Sequence, residues 1–265
     1  MLARLAVPSP FVIALLVVAA FVAGFLDAVV GGGGLVTVPA LLLGLPGVPI
    51  TTVLGTNKVV SCTGTSFALA QFVRARALGL KELVGPIVAA MTGAALGVRV
   101  AYLAQGRFEG WLRPALLALM VAMLAFTLLS PKLGTLHAPR FGLAHQRGLA
   151  VAIALALGFY DGFFGPGTGS MLIFLFVTVL GFDFLRASAL AKSANWASNV
   201  ASVVIFVWHG SWVPVVAACM ALGNGLGGAL GARTALARGA RWVRVVFIVV
   251  VAGLILRLAW QLWLD

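Results

Sequence analysis

The sequence has little charge and few of the side chains that most often perform chemistry in enzymes. Only 9% of its 265 residues are charged, whereas a typical soluble domain carries about 25%. Its 2 cysteines, Cys62 and Cys219, both lie in apolar stretches without a CxxC spacing or a nearby histidine, and its 3 histidines do not cluster along the chain. A disulfide framework, a Cys/His metal site and Ser-His-Asp catalysis therefore have little to build on. We expect a protein that is not an enzyme and that has no cofactor.

Acidic residues are the scarcest charged class, with 6 Asp and Glu against 18 Lys and Arg, for a net charge of +12. In a soluble protein this balance would suggest nucleic-acid binding. Here most basic residues stand in short connections beside apolar stretches, such as VRARALGLK (73–81) and RTALARGARWVR (233–244). Cations in such positions face anionic headgroups and set the orientation of membrane helices. We therefore expect a lipid bilayer around the chain and no nucleic-acid partner.

Long apolar runs are what the sequence has in excess, since 62% of its residues are hydrophobic. Several runs reach the ~20 residues that a helix needs to cross a bilayer. The second and the seventh are too short for that, and each follows a glycine cluster, which predicts broken or re-entrant helices packed inside the protein. The ten apolar runs are 11–30, 35–45, 52–73, 83–104, 112–129, 149–164, 170–182, 187–208, 213–232 and 243–263.

The chain matches itself when it is shifted by 134 residues, the distance from Lys58 to Lys192. Gly24-Phe25-x-Asp27 then lies over Gly158-Phe159-x-Asp161, and two arginines of each half also coincide. Chance matches in an apolar chain do not pair an aspartate, a lysine and two arginines at one offset. Although the first apolar run has the composition of a cleaved signal peptide, the repeat makes it part of the fold.

This duplication predicts an all-α polytopic membrane protein with two homologous five-segment halves and 8–10 transmembrane helices. The first repeat is expected at 1–130, a connecting loop at 131–146 and the second repeat at 147–265. If all ten runs cross, the second half is inverted; if the short runs only dip into the membrane, eight cross and the halves are parallel. The distribution of Lys and Arg favours ten crossings with both termini outside. Repeats of this kind are typical of secondary transporters.

Polar side chains at helical spacing surround the two matched lysines. Charged groups inside apolar runs are costly and usually mark transport pathways. A lysine supplies positive charge, while amides and hydroxyls donate hydrogen bonds to oxygens, so these stripes predict a pocket for a small anion. The alternative is that each lysine extends to the headgroups near a helix end. The candidate substrate-binding residues are Asn57, Lys58, Ser61 and Thr65 in the first half, and Lys192, Asn195, Ser198 and Asn199 in the second.

The glycine clusters and the acids before them are a second set of candidates. Glycines that open a helix expose backbone N–H groups to an anion, but they serve equally as hinges or as close packing surfaces. The candidates for backbone anion contacts or hinges are Gly31, Gly33, Gly165, Gly167 and Gly169. Asp27 and Asp161 are expected to carry a coupling proton, to act as counter-ions for the lysines, or to cap the broken helices.

Four segments also resemble a known family: GFLDAVVGGGG, LGTNK, GFYDGFFGPGTGS and AKSANWASNVASVVIF. They are similar to the signature segments of the sulfite exporter TauE/SafE family, and the resemblance covers about residues 11–263. It implies a multi-pass transporter of the bacterial inner membrane for small sulfur-containing anions such as sulfite or organosulfonates.

Together these observations predict a secondary transporter that works by alternating access, with a small anion as its partner and a proton as a candidate coupling ion. An anion channel and a transporter of a non-sulfur organic anion fit the same residues. A homodimer is also compatible with the sequence.

Overall fold

The structure, a computed structural model, describes residues 8–75, 79–104 and 137–264, together with positions 117, 118, 121, 122, 124, 125, 128 and 129. Over these residues it is all-helical, without a strand. The apolar run predicted at 112–129 lies mostly outside the described residues. In the continuous described ranges 8–75, 79–104 and 137–264, the helices are α1 Pro10–Val30, α2 Gly34–Gly44, α3 Ile50–Arg74, α4 Leu80–Ala104, α5 Leu143–Phe163, α6 Thr168–Thr178, α7 Phe184–Trp208 and α8 Pro214–Leu264, the last interrupted at Gly239.

Helix α5 begins at Leu143, inside the segment 131–146 that the sequence predicts as a connecting loop. Its first turns carry the exposed residues His145 and Arg147, which lower the local hydropathy although the backbone is helical. Gln146 supports this start by donating from its side-chain amide to the carbonyl of Phe141 at 2.7 Å. Helix α5 therefore begins several residues before the end of the connecting loop that the apolar runs predict.

The helices fall into two length classes. Among the described residues, four stretches are long and apolar enough to cross a membrane: Pro10–Val30, Glu82–Ala104, Leu143–Phe163 and Pro214–Val249. Helices α3 and α7 have 25 residues each, a length of roughly 38 Å at 1.5 Å per residue, but they bury polar side chains. Helices α2 and α6 have 11 residues each, about 16 Å or half of the apolar thickness of a bilayer. The chain is a multi-pass membrane protein with two half-length helices.

Local sequence explains where several helices begin and end. Ser9 caps α1 by accepting from the Val12 N–H at 3.4 Å, and Pro10 follows at the first helical position, where its missing N–H costs nothing. Asp183 caps α7 by accepting from two backbone N–H groups at 2.9 Å each. Helix α1 ends at Gly31, with φ of 80°, and α6 begins after Gly167, with φ of 85°. Glycine adopts such angles without steric cost, so the glycine clusters place both breaks.

Helix α1 packs in parallel against the first part of α8. The residue numbers of the contacting pairs increase together on both helices: Val17 contacts Gly223, Phe21 contacts Gly227 and Phe25 contacts Gly231. Helix α4 packs in parallel against α5 in the same manner, with successive glycines of α4 against α5. Those glycines and their partners are Gly85 with Val151, Gly93 with Leu155 and Gly97 with Phe159. Two glycine-lined pairs of helices therefore form the flanks of the bundle.

Helices α3 and α7 run antiparallel to each other. Gly55, near the start of α3, contacts Phe206 near the end of α7. Ser66, towards the end of α3, accepts a hydrogen bond from the indole N–H of Trp196 at 2.9 Å. Helix α2 returns along α1, because its last residue, Gly44, packs against Leu16 near the start of α1.

The buried apolar side chains form two clusters that share α3 and α7. The first cluster includes Phe72 of α3 and Phe184 and Ala197 of α7. The second includes Val53 of α3 and Phe206 of α7. On both α3 and α7, polar residues lie between the side chains that belong to the first cluster and those that belong to the second.

Replacing Gly227 with Ala should destabilise the protein, because the new Cβ would lie 2.0 Å from the carbonyl oxygen of Phe21. Overpacking of this kind costs roughly 1–3 kcal/mol, and thermal unfolding of the protein in detergent would show it as a lower Tm. Gly148→Ala in α5 is the matched control, since nothing lies within 4 Å of its new Cβ. Equal melting temperatures for the two variants would contradict the parallel packing of α1 on α8.

Candidate functional site

Both matched lysines are buried in the bundle. Lys58 lies on α3 and is 3% exposed, and Lys192 lies on α7 and is 0% exposed. Both side chains end at buried or mostly buried aspartates, so the alternative of lysines extending away from the protein does not describe this structure. An ammonium group in such surroundings requires a counter-charge, because the desolvation cost of an isolated buried ion is several kcal/mol.

Each lysine forms an ion pair with an aspartate from the other half of the sequence. The Nζ atom of Lys58 lies 2.7 Å from Oδ2 of Asp161, and Nζ of Lys192 lies 2.9 Å from Oδ2 of Asp27. The lysines are 134 residues apart in the sequence, and so are the aspartates. The first pair joins α3 to α5, and the second joins α7 to α1. The same interaction is thus made twice, each time between the halves.

The carboxylates have further contacts that hold them in place. Oδ2 of Asp161 accepts a hydrogen bond from the Ser198 hydroxyl at 2.6 Å. Oδ1 of Asp27 accepts from the backbone N–H of Gly33 at 3.3 Å. Asp27 therefore pairs with a lysine through one oxygen and contacts the backbone N–H of Gly33, just before α2, through the other.

The two glycine breaks meet inside the protein. The Ser170 backbone N–H donates to the carbonyl of Gly31 at 3.2 Å, and its hydroxyl donates to the carbonyl of Val30 at 2.8 Å. A Cβ at Gly31 would lie 2.1 Å from the carbonyl carbon of Gly169, so the backbones touch where side chains would prevent it. At the other break, a Cβ at Gly165 would lie 3.2 Å from the Lys58 ammonium. All five candidate glycines, Gly31, Gly33, Gly165, Gly167 and Gly169, lie at these breaks.

The polar stripe of the first half is satisfied by protein groups. Oδ1 of Asn57 accepts hydrogen bonds from the hydroxyls of Thr37 and Ser61. The Thr65 hydroxyl donates to the backbone carbonyl of Ser61 at 2.8 Å. Apart from Lys58, the first-half candidates are thus engaged with α2 and with their own helix.

The polar stripe of the second half differs. Lys192 and Ser198 hold the two aspartates, and Asn195 is buried beside them. The side-chain Nδ2 of Asn199 and the hydroxyl of Ser202 are buried and have no hydrogen-bond partner among the described residues. Five buried residues of α7 lie on one face at i, i+3, i+6, i+7 and i+10. They are the four candidates of this half and Ser202: Lys192, Asn195, Ser198, Asn199 and Ser202.

Sequence reasoning missed three residues of this region. Ser202 continues the spacing of Lys192, Asn195 and Asn199, and extending that pattern by three residues would have found it. Thr37 and Ser170 lie in the short helices and bond to the polar stripe and to the α1 break, respectively. No spacing rule links them to the lysines, because their contacts depend on how α2 and α6 pack.

Buried ion pairs beside interrupted helices, within a multi-pass helical bundle, define the class of a membrane transporter. The sequence matches the family described as Sulfite exporter TauE/SafE over residues 16–258. The chain belongs to this family.

Relatives with similar lengths support the same class. The chain is 36% identical over 250 residues to "Probable membrane transporter protein ORF9" of Sinorhizobium sp, covering 93% of this chain and 92% of that one. It is 37% identical over 243 residues to a "Probable membrane transporter protein" of Haemophilus influenzae, with 89% and 90% covered. It is 33% identical over 246 residues to "Probable membrane transporter protein YfcA" of Escherichia coli K12, with 92% and 88% covered. No solved structure matches the chain significantly.

Lys58→Met should destabilise the folded protein by about 3–5 kcal/mol, because it leaves the Asp161 carboxylate buried without its counter-charge. The double variant Lys58→Met/Asp161→Asn removes both charges and should recover much of the lost Tm. Glu82→Gln is the control: it breaks the Arg186–Glu82 pair, whose side chains are about one third exposed, and should cost under about 1 kcal/mol. A double variant as unstable as the single one would show that the pairing is not what holds Lys58 in the fold.

Proposed function

We propose that the protein is a secondary transporter that moves small anions of the sulfite or organosulfonate type across the bacterial inner membrane by alternating access. The observation that carries this proposal is the pair of buried Lys–Asp contacts that cross between the halves. The name of the family, sulfite exporter TauE/SafE, supports the substrate class. The near-complete burial of both lysines favours a carrier with an occluded site over an open pore.

The halves form inverted repeats in this proposal, and the helix bounds support it. Helices α2 and α6 begin and end 134 residues apart, as do α3 and α7. Because α3 and α7 are equivalent by this offset and run antiparallel through the Gly55–Phe206 and Ser66–Trp196 contacts, the second half runs opposite to the first. Inverted repeats supply two related conformations of one site, open to opposite sides of the membrane.

The transported anion competes with the aspartates for the lysines. A carboxylate and a sulfite or sulfonate group present the same kind of oxygen to an ammonium group. Protonation of Asp27 or Asp161 weakens its hold on the lysine and frees positive charge for the anion. This exchange couples the anion to a proton, and the Gly-rich breaks beside both pairs act as the hinges.

The basic residues give the orientation. Arg186 pairs with Glu82 at 2.9 Å, and Arg140 donates from its backbone to Leu180, so several basic connections lie at one end of the bundle. Tyr102 and His209 stack at the opposite end. The end rich in Lys and Arg faces the cytoplasm by the positive-inside rule, and α1 therefore begins on the outside.

Anion binding can be measured as a rise in Tm of the detergent-purified protein with sulfite, sulfate, thiosulfate, sulfoacetate, acetate or phosphate. A ligand at 100 times its Kd stabilises the folded state by about 2.7 kcal/mol. We expect a shift with a sulfur anion in the wild type and none in Lys192→Met/Asp27→Asn, which lacks one pair but leaves no charge unpaired. Glu82→Gln/Arg186→Gln should retain the shift. Equal shifts in both double variants would contradict a site at the buried pairs.

Orientation can be tested with single cysteines at Pro139 and His209, which are both exposed, in a variant whose natural cysteines are replaced by serine. A membrane-impermeant thiol reagent applied to intact cells should label His209→Cys and spare Pro139→Cys until the cells are opened. Labelling of Pro139→Cys in intact cells would reverse the orientation, and labelling of both would contradict the placement of these residues at opposite ends.

A further inference from the structure

Two hydrogen-bond donors on α7 are buried without an acceptor. Asn199 is 2% exposed and Ser202 is 0% exposed, and neither Nδ2 of Asn199 nor Oγ of Ser202 has a partner among the described residues. An unsatisfied buried polar group costs about 1–3 kcal/mol. Two such groups, three residues apart on one helix face, are a cost that a ligand supplying acceptors would remove.

The rest of α7 does not share this feature. Ser188, also 0% exposed, donates to the carbonyl of Phe184 one turn earlier at 2.7 Å. Ser193 and Ser198 also bond to carbonyls of their own helix. A buried serine in this helix thus ordinarily satisfies itself, and the Ser202 hydroxyl is the exception among the described serines of α7.

The first half offers no matching donors. The position equivalent to Asn199 is Thr65, whose hydroxyl already donates to backbone carbonyls. The position equivalent to Ser202 is Ala68, which has no polar side-chain atom. The two halves therefore differ at this pair of positions, and of the four described residues only the two in the second half carry unpaired donors.

The surroundings of the two residues favour a negatively charged group. Asn199 directly follows Ser198, whose hydroxyl bonds to the carboxylate that pairs with Lys58. The two donors therefore lie close to an ion pair whose ammonium group is freed for the anion in the proposed exchange. Along α7, the two donors stand between Ala197 of one apolar cluster and Phe206 of the other. The amide Nδ2 carries only donors and cannot ligate a cation. Asn199 and Ser202 are about 4.5 Å apart along the helix axis, a separation that two oxygens of one oxyanion can bridge.

We propose that Asn199 and Ser202 form the oxyanion subsite of this transporter, so that these two second-half donors bind oxygens of the transported anion while a lysine balances its charge. This inference rests on the proposed function and names the residues that determine affinity within it. Ser202 acts as a specificity-determining residue: it favours ligands with at least two acceptor oxygens on one atom, such as sulfite, sulfonate and carboxylate, over halides.

The test measures the Kd of sulfite and of sulfoacetate, by ligand-dependent Tm and by equilibrium binding, for the wild type, Ser202→Ala and Asn199→Ala. We expect each substitution to raise the Kd about tenfold or more, as for the loss of a hydrogen bond to a charged group. Without anion, Ser202→Ala should melt no lower than the wild type, because it deletes an unpaired buried hydroxyl. Ser188→Ala, the matched control on the same helix, should keep the wild-type Kd.

The outcomes separate this inference from the function on which it rests. If the wild type binds an anion and Ser202→Ala binds it equally well, the subsite is overturned while the transporter proposal stands. The subsite is also overturned if Ser202→Ala leaves the Kd unchanged and lowers the Tm without anion. The hydroxyl would then have a structural partner in the folded protein. If the wild type binds none of the anions tested, the proposed function fails and the subsite fails with it.

Discussion

A charge in the interior of a membrane protein must be matched by an opposite charge, and the arrangement of this molecule follows from that constraint. Lys58 and Lys192 are buried, and so each requires a carboxylate. The chain provides only two acids within its apolar runs, Asp27 and Asp161, and each is found beside the lysine of the opposite half. The positions of α1, α3, α5 and α7 are thereby linked, because a shift of any one of them separates a buried pair.

Backbone contacts at the starts of the two short helices, α2 and α6, add to the links that the ion pairs make. Each short helix follows a glycine cluster. The clusters allow the backbone at one break to approach the backbone at the other more closely than side chains would permit. Gly31 and Gly169 touch, and Ser170 bonds to the carbonyls that α1 leaves free at its end. The ion pairs therefore lie next to interrupted backbone, where dihedral changes are easiest. In the proposed transport cycle, the breaks at the centre change conformation while the full-length helices on the flanks keep their packing.

Much of this could be predicted from the sequence. The glycine clusters, the short apolar runs and the offset of 134 residues locate the breaks, and hydropathy places most helix ends within a few residues. The pairing of Lys58 with Asp161, rather than with Asp27 of its own half, could not be read from spacing, because it depends on how the halves pack in three dimensions. The start of α5 was missed because its first turns are polar and exposed. Ser202 could have been found by extending the spacing of Lys192, Asn195 and Asn199, but only the structure shows that its hydroxyl has no partner among the described residues.

The crossing of the ion pairs also has a consequence for biosynthesis. The amino-terminal half leaves the ribosome first and enters the membrane with Asp27 and Lys58 already made, while their partners, 165 and 103 residues further along, respectively, have yet to be translated. During that interval both charges lack their final counter-ions. The first half is therefore an incomplete intermediate that water, the insertion machinery or headgroups must accommodate. Both ion pairs are complete only when α5 and α7 arrive, so neither half of the sequence can neutralise its buried charges alone.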